Sequence, residues 1–273
     1  MSIPSVPEPY VAFIDVDGRR IAIRHRSAAP GRPTVLFLPG YASDMAGQKA
    51  LAVDQFCAGR SIGCLRLDYS GTGASAGDFA EGTLARWLDE VLAVIDQSMP
   101  KERLIVAGSS MGGWLALHAA MRRPDQVTAL LGIAAAPDFT DWGYSSEDKA
   151  TLARDGKLDR FNSHSSDPMV THRAFWRSGE THRLLDAPID LAVPIRLVHG
   201  VDDQEVPVEV PLKLVDQLGS RDVQLRLIKG GGHRLSEPHE IQAILAELGS
   251  LIEKVDLPPA LTTSPAENIK DEQ

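Results

Sequence analysis

Gly-x-Ser-x-Gly occurs twice in this chain, as Gly108-Ser109-Ser110-Met111-Gly112 and as Gly73-Ala74-Ser75-Ala76-Gly77. A serine in this pattern becomes a nucleophile when it stands on a sharp strand-to-helix turn with its hydroxyl clear of the backbone. The pattern alone is weak, so context must separate the two copies. LIVA, before Gly108, reads as a short buried strand, and GGWLALHAAM, after Met111, reads as a buried helix. Glycines are needed at such a corner because side chains there collide with neighbouring backbone. A helix that starts at the corner also aims its first amides at a developing anion. Ser110 therefore reads as a nucleophile. Ser75 lies in YSGTGASAGDF, which has no periodicity and reads as a glycine-rich loop. Ser109 is predicted to point away from the corner and reads as structural.

A serine hydroxyl attacks poorly near neutral pH, so it needs a base, and the base needs an orienting acid. Both follow Ser110 in the chain, each just past a predicted strand. IRLVHGVDDQEVP is a strand, a glycine turn and two aspartates, and LRLIKGGGHRLSEP is a strand, three glycines and His233. Serine, then acid, then histidine is the order found in α/β-hydrolases. The residues alone leave Asp202 and Asp203 both open as the acid. The stretch from His199 to Pro207 resembles the His-Gly-x-x-Asp-x-x-Val-Pro segment of α/β-hydrolases, and that resemblance implies Asp203, with Asp202 free to cap the turn. Glu205 reads as surface. Of the eight histidines, His118 reads as a satisfied core residue and His199 as part of the turn; His25 and His239 read as peripheral. His164, His172 and His182 have neither a zinc-ligand spacing nor nearby cysteines, so no metal and no other cofactor is expected.

The elements that must hold these residues are legible in outline. Residues 10–16 and 20–26 flank Asp17-Gly18, a hairpin signal. Short apolar strands are predicted at 34–38, 64–67, 104–107, 127–134, 195–198 and 223–228. Helices are predicted at 47–58, 83–97, 112–121, 208–217 and 238–255. Continuous apolar strands alternating with helices predict an α/β chain whose mostly parallel sheet is covered on both faces. Such sheets bind ligands beyond the carboxyl ends of their strands, where the serine, the acid and the histidine all fall. Residues 1–136 and 192–255 form the predicted core. Residues 137–191 break the alternation with helical patches, polar turns and no strand-like run, and read as a small helical lid. Residues 256–273 are proline-rich and polar, and a disordered tail is expected.

Composition narrows the class further. A chain of 273 residues, 43% hydrophobic and 24% charged, is long enough for a sizeable core. A net charge of −9 without a basic run argues against a nucleic-acid partner. Two cysteines, Cys57 and Cys64, make no disulfide framework and read as buried thiols. No apolar run approaches a membrane span, and neither a secretory signal nor an arginine-rich transit peptide is recognised, so a cytoplasmic protein is expected.

With these residues assembled, the chain resembles a serine α/β-hydrolase over residues 33–255. FLPGYASDMAGQKALAVDQFC, DYSGTGASAG, GSSMGGWLALHAA and PIRLVHGVDDQEVP resemble a narrower abhydrolase-domain family. Its animal member is a mitochondrial palmitoyl-protein thioesterase, also described as an acyl-glucuronide esterase. The resemblance implies acyl transfer from esters or thioesters through Ser110, on a small-molecule or acylated-protein substrate. It also implies an oxyanion hole from the backbone N–H groups of Met111 and Tyr41. Pro39 stands where the fold usually has histidine, and because the donor is backbone, Tyr41 can still serve. The Tyr41 ring is expected at the pocket wall. In the predicted lid, Arg173 and Arg177 share a helical face beside Trp176, where they could pair with a substrate carboxylate such as a glucuronate; the alternative is a solvated face. A non-catalytic binding module, an acyltransferase and a peptidase on the same fold are the rival readings.

Overall fold

The computed structural model describes residues 7–160 and 168–256. The chain opens with a hairpin of β1 (Val11–Val16) and β2 (Arg19–Arg26). Asp17 and Gly18 both take positive φ, the two-residue turn whose twist matches the strands it joins. Then follow β3 (Thr34–Leu38), α1 (Gln48–Ala58), β4 (Gly63–Leu67), α2 (Leu84–Ser98), β5 (Leu104–Ser109), α3 (Met111–Arg122) and β6 (Val127–Ile133). Thr83 starts α2 by accepting a hydrogen bond from the Arg86 amide. An insertion carries α4 (Phe139–Trp142), α5 (Ser146–Asp155), β7 (Lys157–Arg160), β8 (Met169–His172) and α6 (Arg173–Glu180). The alternation resumes with β9 (Ile195–Gly200), α7 (Glu209–Gln217), β10 (Val223–Ile228) and α8 (Pro238–Asp256).

Eight strands form one sheet in the order β1-β2-β4-β3-β5-β6-β9-β10. The opening hairpin is antiparallel and joins β4 antiparallel; the strands from β4 to β10 run parallel. Every residue of β3, β4, β5 and β9 is buried. Apolar side chains alternate between the faces: Leu104 and Val106 of β5 join a core with Trp87 of α2 and Trp114 of α3. Ile105 and Ala107 join a second core with Val53 of α1 and Leu248 of α8. Covering both faces removes the need for polar alternation along the strands, which is why they read as unbroken apolar runs. No helix among the described residues is long and apolar enough to cross a membrane.

Parallel pairing brings the strand ends together at one edge. Leu38 faces Gly108, Ser109 faces Ile133, Ile133 faces Val198, and Gly200 faces Ile228. The loops after β3, β5, β9 and β10 therefore share one rim.

The insertion carries helices, but it differs from the expectation of no strand-like run. β7 and β8 pair antiparallel, with Lys157 opposite His172 and Arg160 opposite Met169. Four residues reading Lys-Leu-Asp-Arg hold one apolar side chain, too few to show a period. The insertion is closed at its base by Asp138. Its buried carboxylate accepts from the amides of Leu184 (2.8 and 3.0 Å) and Leu185 (2.7 Å), so the outgoing and returning chains are tied together. The expected disordered tail at 256–273 lies outside the described residues, except for Asp256, which ends α8. His164 also lies outside them.

Candidate active site

Ser110 sits between β5 and α3 with φ 54° and ψ −120°. A non-glycine residue at positive φ carries a backbone cost of about 1–3 kcal/mol, so its surroundings must over-determine it. Its amide donates to Ile133 O (2.9 Å), and its carbonyl accepts from Gly113 N (2.9 Å) and Ala136 N (3.1 Å). Close approach explains the two glycines of the motif. A Cβ on Gly108 would stand 2.1 Å from Gly112 O, and one on Gly112 would stand 2.1 Å from Leu38 O. Helix α3 thus rests its first turn on the backbone of β3 and β5. A serine at this position commonly caps the helix with its hydroxyl, but the Ser110 side chain makes no such bond.

The hydroxyl turns instead to His233. Ser110 Oγ lies 3.0 Å from His233 Nε2, and His233 Nδ1 lies 2.9 Å from Asp203 Oδ2. The other carboxylate oxygen, Oδ1, accepts from the amides of Glu205 (2.8 Å) and Val206 (2.9 Å). Burial pushes the Asp203 carboxyl up. The hydrogen bond and charge of His233, with the Val206 and Glu205 amides, outweigh burial and hold it below the usual carboxylate range. Asp202 points outward: it is exposed, and its backbone bonds Gly231 and the Gln204 side chain. Of the two aspartates, Asp203 is the one in contact with His233. The His233 loop is clamped from α1, where Gln48 Nε2 donates to Ser236 O (2.8 Å) and Lys49 Nζ donates to Arg234 O.

The backbone N–H groups of Tyr41 and Met111 donate to no protein acceptor among the described residues. Both flank Ser110, since a Cβ on Gly40 would stand 3.3 Å from Ser110 Cβ. With Pro39 in place of histidine, a residue that sequence reasoning missed holds this loop: Tyr69 OH donates to Pro39 O (3.0 Å). The Tyr41 ring packs on Phe175 (4.6 Å between centroids) and Phe79 (5.1 Å), and its hydroxyl donates to Val170 O of β8 (2.8 Å). That side chain joins the core to the insertion.

The remaining candidates fall elsewhere. Ser75 Oγ donates to Asp68 O (2.6 Å) and accepts from Ala22 N (2.8 Å), which makes it a staple between the glycine loop and β2. Ser109 is buried at the end of β5. Trp176 donates to Thr140 O within the insertion (3.2 Å). Arg173 Nη1 donates to Ala153 O at the end of α5 (2.9 Å), and Arg177 is exposed. Phe175 and Gly179 are the buried face of α6, so Arg173 and Arg177 lie on its opposite side, away from Tyr41. The structure does not bring these two arginines to the triad. Reversing Arg177 to glutamate is therefore expected to leave the KM ratio of acidic to neutral esters within about twofold, because an exposed charge is screened over roughly 8–10 Å. Steady-state kinetics on a matched ester pair checks this.

His118 is buried as expected, and it also anchors the insertion. His118 Nε2 and Trp114 Nε1 both donate to His182 O, at 2.9 and 3.0 Å. Burial lowers the His118 pKa to about 4. Its folded pKa lies below the unfolded value of about 6.5, so the stability it contributes is complete above that value and is lost as pH falls towards 4. The loss amounts to about 3 kcal/mol if the whole shift is expressed. Urea unfolding between pH 7 and pH 4.5 is expected to fall more steeply for wild type than for His118→Gln; parallel slopes would assign the acid sensitivity to other groups.

The assembled geometry can move a proton from a serine hydroxyl through an imidazole held by a buried carboxylate, beside two free amides. Comparison with known proteins is consistent with that chemistry. The family model described as "Serine aminopeptidase, S33" matches residues 29–153. The human protein "Palmitoyl-protein thioesterase ABHD10, mitochondrial" is 38% identical over 227 residues, covering 82% of this chain and 74% of that protein. The solved structure of a hydrolase from Agrobacterium vitis S4 superposes with a TM-score of 0.84 at 37% identity, covering 90% of this chain and 100% of that one. Mouse alpha/beta hydrolase domain-containing protein 10 superposes with a TM-score of 0.83 at 34% identity, covering 90% and 99%.

Proposed function

Because this chain belongs to the α/β-hydrolase family of the palmitoyl-protein thioesterase ABHD10, we propose that it works through an acyl-enzyme on Ser110. It is a serine hydrolase that cleaves carboxylic esters or acyl thioesters. The observation that carries the mechanism is the relay of 3.0 Å and 2.9 Å from Ser110 through His233 to Asp203. His233 Nε2 takes the hydroxyl proton as Ser110 Oγ bonds the substrate carbonyl carbon. Asp203 holds the imidazole with its proton on Nδ1 and stabilises the imidazolium. The amides of Tyr41 and Met111 receive the oxyanion, an interaction worth about 10²–10³ in rate per donor. The carbon–oxygen or carbon–sulfur bond then breaks, and His233 Nε2 gives its proton to the departing alcohol or thiol. Water then bonds the acyl carbon as His233 Nε2 takes its proton; the bond from that carbon to Ser110 Oγ breaks, Nε2 returns the proton to Oγ, and the free acid leaves.

Small acyl esters, acyl thioesters and acylated proteins are the proposed substrates. A second reading, peptide hydrolysis, is favoured only by the description of the matched family model. A panel sharing one acyl group separates them: an aryl ester, a thioester and a peptidyl anilide. Turnover of the ester or thioester with the anilide untouched is the expected outcome. Anilide turnover without ester or thioester turnover would overturn the proposal. Partition of product when an alcohol or amine is added separates hydrolysis from acyl transfer.

A further inference from the structure

Glu205, two residues beyond Asp203, reads as a surface residue from the sequence. Its side chain is half exposed, yet its carboxylate turns back to the triad: Oε2 lies 3.7 Å from His233 Nε2. That nitrogen is the one facing Ser110 Oγ at 3.0 Å. The Glu205 amide meanwhile holds Asp203 Oδ1. The amide of Glu205 thus holds the carboxylate that orients His233, while its side chain faces the Nε2 end of the ring. Among the described residues Glu205 makes no ion pair with a lysine or arginine. Lys49 feels its field, but lies beyond ion-pair distance and has its ammonium on the Arg234 carbonyl.

A leaving group that receives a proton from Nε2 must bring its oxygen or sulfur within about 3 Å of that atom. With Glu205 Oε2 3.7 Å from the same nitrogen, the leaving-group atom lies within about 7 Å of that carboxylate, and its nearest substituents share the same side of the cleft. We infer that Glu205 is a specificity-determining residue that selects the leaving group by charge, favouring cationic alcohols and thiols and disfavouring anionic ones. The inference rests on Ser110 and His233 acting as proposed above. It concerns the leaving group alone, because the acyl chain is on the other side of the scissile bond.

Three octanoate esters test it: the choline ester, its neutral isostere with tert-butyl in place of trimethylammonium, and the isethionate ester. Wild type is expected to rank them cationic, neutral, anionic by kcat/KM. Unit charges about 5 Å apart in a partly hydrated cleft change such ratios by roughly tenfold, so Glu205→Gln is expected to narrow each ratio by about that factor. Glu205→Lys is expected to reverse the order, and high salt to compress the wild-type ratios. A neutral fluorophosphonate probe runs in parallel on every variant. Lost labelling of Ser110 in folded wild type would count against the underlying mechanism. Retained labelling with equal rates on the three esters, or with Glu205→Gln ratios matching wild type within about twofold, below the roughly tenfold Coulomb effect, would overturn the role of Glu205.

Discussion

Ser110→Ala is expected to remove ester and thioester turnover by about 10⁴–10⁶-fold in kcat, with the fold intact. The magnitude follows from nucleophilic catalysis: without Oγ no acyl-enzyme forms, and only the oxyanion amides and substrate binding remain. The fold survives because, among the described residues, Ser110 Oγ bonds only His233, and it caps no helix amide. Alanine also takes the same positive φ at a similar cost, since its Cβ is already present in serine. Steady-state rates and a thermal melt on the same preparation check both parts. Loss of activity accompanied by a collapsed melt would report unfolding instead of chemistry. Unchanged turnover would remove Ser110 from the mechanism.

Asp203→Asn is the second large effect, with an expected fall in kcat of about 10⁴. The direction follows from the two amides on Oδ1. Glu205 and Val206 both donate there, so an asparagine must place its carbonyl oxygen at that position. Its NH₂ group then faces His233 Nδ1, which has to accept. The remaining imidazole proton moves to Nε2 and points at Ser110 Oγ, where a base is needed. The base is lost by tautomer, with the geometry almost undisturbed. Asp202→Asn serves as the control, with turnover close to wild type, because Asp202 faces solvent. Equal losses in the two variants would mean that the loop as a whole, not the Asp203 carboxylate, governs the rate.

The parts of the site that could be read in advance were those with a local cause. The corner at Ser110 was legible because an apolar strand, two glycines and a buried helix occupy adjacent residues, and the steric demand on Gly108 and Gly112 is local. Asp203 and His233 were legible because each follows its strand by a few residues and a parallel sheet gathers those ends. Ser75 was set apart from Ser110 by the absence of flanking periodicity, and it serves as a loop staple. What escaped depends on contacts distant in sequence. The pairing of β7 with β8 leaves no period in four residues. The resemblance implies a pocket-wall place for the Tyr41 ring, but not the reach of its hydroxyl to Val170, 129 residues on. Arg173 and Arg177 do share a helical face, and only packing of Phe175 and Gly179 shows that this face looks outward. The approach of Glu205 to His233 is set by the turn that also positions Asp203, and no spacing in QEVP announces it.

The most direct test of the acyl-enzyme account is reaction of the folded wild-type protein with a fluorophosphonate probe, followed by intact mass and peptide mapping. The expected result is one adduct per chain, on Ser110, formed in step with loss of ester turnover. An active enzyme that stays unlabelled, or one labelled on a different serine as its activity disappears, would contradict it.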